Sequence, residues 1–165
     1  MLLDLRKIIH MPGESAAFEC ELSGDNLDFP SVSGYRSLPR ATGRVFNEAG
    51  ILRLTAEIVA DMTCICDRCG ELFDSTKVTK VDAVLSEEES ADNPELFVLK
   101  GDELDLEEVL STCFILDMET KFLCTEDCKG LCPTCGKNLN FGPCRCRKEI
   151  DPRFAVLEQL LDKSL

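Results

Sequence analysis

The chain has 165 residues, a formal net charge of −13, eleven cysteines, a single histidine and no tryptophan. That length supports one domain, or a small domain with an appendage, and a real hydrophobic core. No apolar run reaches transmembrane length and residues 1–20 carry no secretory-signal pattern, so the sequence predicts a cytoplasmic protein without membrane association, in a compartment where disulfides are rare.

In chain order, residues 2–9 (LLDLRKII) and 16–22 (AAFECEL) alternate like strands, with Met11-Pro-Gly-Glu14 as a turn between them. Ala16, Phe18, Cys20 and Leu22 share one face, which makes Cys20 a small core residue. Residues 23–43 are rich in Ser, Gly, Pro and Asp and read as a long loop, with a short edge strand near Val32 to Tyr35. Gly43 to Phe46 reads as a strand and Asn47-Glu-Ala-Gly50 as a turn. Residues 51–64 then alternate, with Leu52, Leu54, Ala56, Ile58, Ala60, Met62 and Cys64 on one side, and residues 72–85 alternate again. Between these runs stands Cys66-Asp-Arg-Cys69-Gly70, a CxxCG knuckle at the tip of a predicted hairpin. Two cysteines there supply half of the four ligands that zinc takes.

Residues 86–93 (SEEESADN) read as an acidic loop or disordered excursion, and Leu96 to Leu99 as a short strand. Asp105 and Glu108 have the form of a helix start. Leu106, Val109, Leu110, Cys113, Phe114 and Asp117 follow at spacings of three and four, predicting a helix of about three turns that covers the sheet. Cys113 lies on its apolar stripe as a core residue, and its acidic residues form a solvated face. At Asp151-Pro152 a short terminal helix is predicted, with Phe154, Leu157, Leu160 and Leu161 on its apolar side.

The densest signal is Cys124–Cys146 (CTEDCKGLCPTCGKNLNFGPCRC), six cysteines in 23 residues. Disulfides, a metal or redox chemistry can each account for such a cluster. The odd cysteine total and the reducing compartment weigh against disulfides. Cys132-Pro-Thr-Cys135-Gly136 has the form of a zinc knuckle, with a glycine for the left-handed bend. With Cys20, Cys113 and Cys64 set aside as core, eight cysteines remain, enough for two four-thiolate zinc sites. The simplest partition gives Cys132, Cys135, Cys144 and Cys146 one ion. Cys66, Cys69, Cys124 and Cys128 share a second, tying the hairpin tip to the C-terminal segment. A rival partition moves Cys128 into the local site, with a single ion bound. The predicted fold class is α+β: a mainly antiparallel β-sheet body with one covering helix over residues 1–120, and a zinc-ribbon-like cysteine segment with a terminal helix over 121–165.

Charge is unevenly spread. Residues 82–119 carry thirteen Asp and Glu against one Lys, whereas residues 121–153 carry seven Lys and Arg against four acids. Such asymmetry can mark an interaction face, although a four-thiolate zinc site carries net charge −2 and offsets part of the basic excess.

The run C-x3-C-K-G-L-C-P-x-C-G-x-N-L-N, then C-x-C and D-P-R-x-A-x-L, resembles the YceD family of bacterial and plastid proteins. The upstream C-D-R-C at the end of a long strand, the acidic middle and the total length fit as well. The resemblance runs from about residue 40 onward and is most specific in Cys124–Leu161. It implies a role in ribosome biogenesis, in which large-subunit ribosomal RNA fails to accumulate without the factor, and it brings no catalytic residue. The first function hypothesis is therefore a non-enzymatic zinc-binding module that takes no small-molecule substrate. Its partner is ribosomal RNA or a precursor ribosomal particle, met directly or through a protein. Lys129, Lys137, Arg145, Arg147, Lys148 and Arg153 would meet RNA phosphates. The alternative is a thiol redox protein or redox-sensing regulator using its CxxC motifs. Against it, neither motif lies in a βαβ context and both are followed by glycine. Two zinc ions per chain, with thiols shielded from alkylation until a chelator is added, would dismiss it. A zinc hydrolase is disfavoured because catalytic sites keep an open position and mostly use His or carboxylate ligands, and His10 is remote from the cysteines in sequence.

Overall fold

A computed structural model describes residues 1–24, 27–86, 97–99 and 101–146. The elements are β1 (Leu2–Asp4), α1 (Arg6–Ile9), β2 (Ser15–Glu21), β3 (Val32–Tyr35), β4 (Arg40–Glu48), β5 (Ile51–Ile65), β6 (Leu72–Ser86), β7 (Phe97–Val98), β8 (Glu103–Asp105) and α2 (Leu106–Leu116), followed by a 3₁₀ turn at Leu139–Phe141. The chain clusters into two compact units, Met1–Asp67 with Glu71–Cys124, and Arg68–Gly70 with Thr125–Leu165.

The first unit is built on a sheet of order β2-β4-β5-β6-β7, with β3 paired to β5 beyond the end of β4. All these pairings are antiparallel except β6 with β7. The fold class is α+β with a sheet body, as the alternation implies. β5 and β6 are 15 residues each and stay in register from Leu52↔Leu85 to Ile65↔Leu72. The alternation of residues 51–64 decides which face they bury: Leu52, Leu54, Ile58, Ala60, Met62 and Cys64 are inside. Against them pack Leu106, Val109, Leu110 and Phe114 of α2, with Leu5 and Ile8. Asp105 caps α2 by accepting the Glu107 N–H at 3.1 Å. Cys64 belongs to the core cluster, while Cys20 and Cys113 are half-buried against it. Asp117 accepts hydrogen bonds from the Thr79 hydroxyl at 2.8 Å and pairs with Lys77 at 3.1 Å, a structural role.

Three expectations need correction, and one strand was not foreseen. Residues 6–9 are helical, because burying both Leu5 and Ile8 takes the i, i+3 spacing of one helical turn rather than an alternating strand. The strand before them pairs with β8 and not with β2, so the turn at Met11–Glu14 joins α1 to β2. The predicted 23–43 loop overruns β4, which begins at Arg40. Its Gly43 sits opposite Ala56, where a Cβ would stand 2.4 Å from the Thr55 carbonyl oxygen. Lastly, β8 is too short for periodicity to reveal. Of the expected acidic loop at 86–93, Ser86 closes β6 and the rest lies outside the described residues, as does the expected terminal helix.

Buried Asn47 joins distant pieces of this unit. Its Nδ2 donates to the carbonyls of Ile8 at 2.8 Å and Ile9 at 3.0 Å, and its Oδ1 accepts the Gly50 N–H at 2.8 Å. Asn47→Ala should lower stability by about 1–3 kcal/mol by leaving buried backbone groups unpaired, read as a lower urea midpoint at unchanged slope.

Candidate metal centres

The β5–β6 hairpin closes through Cys66–Glu71. In this turn the Cys66 N–H donates to the Glu71 carbonyl at 2.9 Å, and Gly70 has φ of 72°. The second knuckle repeats it: the Cys132 N–H donates to the Lys137 carbonyl at 2.8 Å, and Gly136 has φ of 71°. In both, the partner is five residues on and the glycine takes the left-handed conformation that side chains resist. Such a turn points two sulfurs the same way.

The sulfurs gather in two groups of four. Sγ atoms of Cys66, Cys69, Cys124 and Cys128 all lie within 4.8 Å of one another, and so do those of Cys132, Cys135, Cys144 and Cys146. Cys128 thus stands with the hairpin cysteines and not with the local set. A tetrahedral ion with metal–sulfur bonds of about 2.3 Å needs sulfurs roughly 3.8 Å apart, so either group could hold a metal ion. Cys144 Sγ lies 3.4 Å from Cys132 Sγ.

The thiol chemistry of the local group fits a cation. Backbone N–H groups of Cys135, first, and Thr134 point at the Cys132 sulfur and hold its thiol down to about 6. Cys146, hydrogen-bonded to Cys135 and partly desolvated, is pushed up to about 12. Four thiols this close cannot all ionise together without a positive charge among them, and a dication reverses that penalty.

The two residues inside the first knuckle are not spacers. Asp67 accepts the Phe122 N–H at 2.6 Å and the Ser31 hydroxyl at 2.7 Å, and its own N–H donates to the Phe122 carbonyl at 2.9 Å. The Ser31 bond first, and the Phe122 bond after it, hold its carboxyl below the ordinary range. This fastens the chain two residues before Cys124. Arg68 donates from Nη1 to the Cys128 carbonyl at 2.9 Å. Gly130 packs here, since a Cβ on it would meet the Arg68 carbonyl oxygen at 3.0 Å. Arg68→Ala should weaken metal binding at the Cys66 group about 10–100-fold while sparing the other, measured by chelator competition. Sequence reasoning missed Asp67 and Arg68; the signal was their charge, where the second knuckle has Pro133 and Thr134.

Of the six basic residues assigned to an RNA face, Lys129, Lys137 and Arg145 are exposed in the second unit. Lys137 also donates from Nζ to the Pro143 carbonyl at 3.0 Å. Arg147, Lys148 and Arg153 lie outside the described residues. Phe141, unremarked in the sequence, stands 78% exposed on the 3₁₀ turn capped by Asn138.

Among the described residues, no helix is long and apolar enough to cross a membrane. Uncharacterized proteins of Mycobacterium tuberculosis and Mycobacterium bovis are 26% identical over 98% of this chain and 81% of their own length. No solved structure matches. The model of the family described as "Large ribosomal RNA subunit accumulation protein YceD" matches residues 54–161, a span that contains both knuckles and all eight clustered cysteines. The chain belongs to the YceD family.

Proposed function

We propose that the protein is a non-enzymatic, zinc-binding factor of ribosome biogenesis that supports accumulation of large-subunit ribosomal RNA in the cytoplasm. The family match over residues 54–161 carries this reading, because the matched span includes the two four-cysteine groups. Zinc suits closed all-thiolate tetrahedra, and a closed site leaves no position for a substrate or an activated water. Its task is then to fold the C-terminal segment and present a surface.

The candidate contacts are the exposed Lys129, Lys137 and Arg145 and the exposed ring of Phe141, with Arg147, Lys148 and Arg153 added from the sequence alone. Cations meet phosphates, and an exposed ring offers an unpaired base a stacking surface. Cells lacking the protein should show a lower ratio of large- to small-subunit ribosomal RNA. Crosslinking in cells should map contacts from these residues onto large-subunit RNA. Phe141→Ala should weaken binding of a single-stranded large-subunit fragment by about 1–3 kcal/mol. That binding should weaken steeply with rising salt, and changing Arg145, Arg147 and Lys148 to Glu should abolish it. Binding that survives both changes and high salt sinks the RNA-contact reading; crosslinks to ribosomal proteins alone would make a protein the direct partner.

A further inference from the structure

One asparagine on the segment of one four-cysteine group reaches a sulfur of the other. Asn140 belongs to the segment that joins Cys135 to Cys144, both members of the local group. Its side chain serves the other group: Nδ2 donates to Cys128 Sγ at 3.3 Å, and Oδ1 accepts the Lys129 N–H at 2.7 Å. The residue is held from behind, with its own N–H donating to Asn138 Oδ1 at 3.0 Å and the Leu139 N–H donating to the Gly130 carbonyl at 2.9 Å. A metal-bound thiolate concentrates negative charge, and a donor aimed at it stabilises that charge and orients the sulfur. The donor here is carried on a loop whose two ends, Cys135 and Cys144, belong to the other four-cysteine group.

We propose that Asn140 couples the two centres: metal at Cys132, Cys135, Cys144 and Cys146 fixes the loop that delivers the Asn140 N–H to Cys128, raising metal affinity at Cys66, Cys69, Cys124 and Cys128. The inference rests on both groups binding metal and goes beyond it by tying their affinities together. Coupling is reciprocal, so emptying either centre weakens the other by one shared factor.

The test uses the full-length protein loaded with ¹¹³Cd²⁺, with NMR to resolve the centres and chelator competition to measure each affinity. Two resonances are expected, and Cys66→Ser assigns one by its loss. Asn140→Asp keeps the acceptor for the Lys129 N–H and removes the donor to sulfur. It should shift the resonance assigned by Cys66→Ser and weaken that centre about 10–100-fold, leaving the local resonance in place. The pair Cys144→Ser and Cys146→Ser should weaken the same centre by a similar factor and add nothing further on an Asn140→Asp background. With Asn140 intact, Cys66→Ser should in turn weaken the local centre by that factor. A shift of the local resonance alone would mean that Asn140 only builds its own loop, and independent affinities would also overturn the coupling. Both failures leave two ions bound, whereas a wild-type protein that binds one ion or none overturns the two-centre reading itself.

Discussion

Removing metal with a chelator should unfold residues 125–146 while the sheet of the first unit stays intact. The reason lies in what each unit buries. Among the described residues, the buried core cluster runs from Leu5 to Phe122, all in the first unit. Among the described residues of the second unit, the buried ones are Cys69, Cys128, Gly130 and Cys132. An interior made of three cysteines and a glycine offers almost no apolar surface to offset chain entropy. Structural zinc binding supplies about 10–16 kcal/mol in comparable small folds, so an ion held by these cysteines would provide most of the folding free energy. Hydrogen exchange should show protection lost across 125–146 and retained in β5 and β6. Protected amides at 125–146 in the metal-free protein would refute this.

Cys64 and Cys66, two residues apart, should respond in opposite ways. Cys66→Ser should reduce bound metal from two ions to one, because a neutral hydroxyl cannot replace a thiolate in a soft-ligand tetrahedron. Cys64 is fully buried and packs in the sheet core. Cys64→Ala should therefore keep both ions and cost on the order of 1 kcal/mol of stability from lost packing. Metal analysis of the two purified variants separates these outcomes. Two ions retained in Cys66→Ser would remove the hairpin cysteines from the metal set.

How far each element could be read follows from how local its cause is. β5, β6 and α2 carry their periods over eleven to fifteen residues, and their burial follows the pattern. α1 is four residues long, and LLDLRKII satisfies either period; only the choice to bury Leu5 and Ile8 together selects the helix. β1 and β8 are three residues each and depend on pairing between segments a hundred residues apart, which no window can register.

The cysteine segment divides the same way. Both knuckles were legible in the sequence, because CxxCG states a bend and its ligands within five residues. By itself the sequence determined the alternating sheet, the capped helix, the two knuckles and the family likeness. The tertiary structure decided that Cys128 stands with Cys66, Cys69 and Cys124, and that Cys64 stays in the core. It also decided that Asp67, Arg68 and Asn140 brace ligands other than their sequence neighbours. The physical reason is that a hydrogen bond to a carbonyl or a sulfur sets no spacing in the chain. It exists only once folding has brought the donor there.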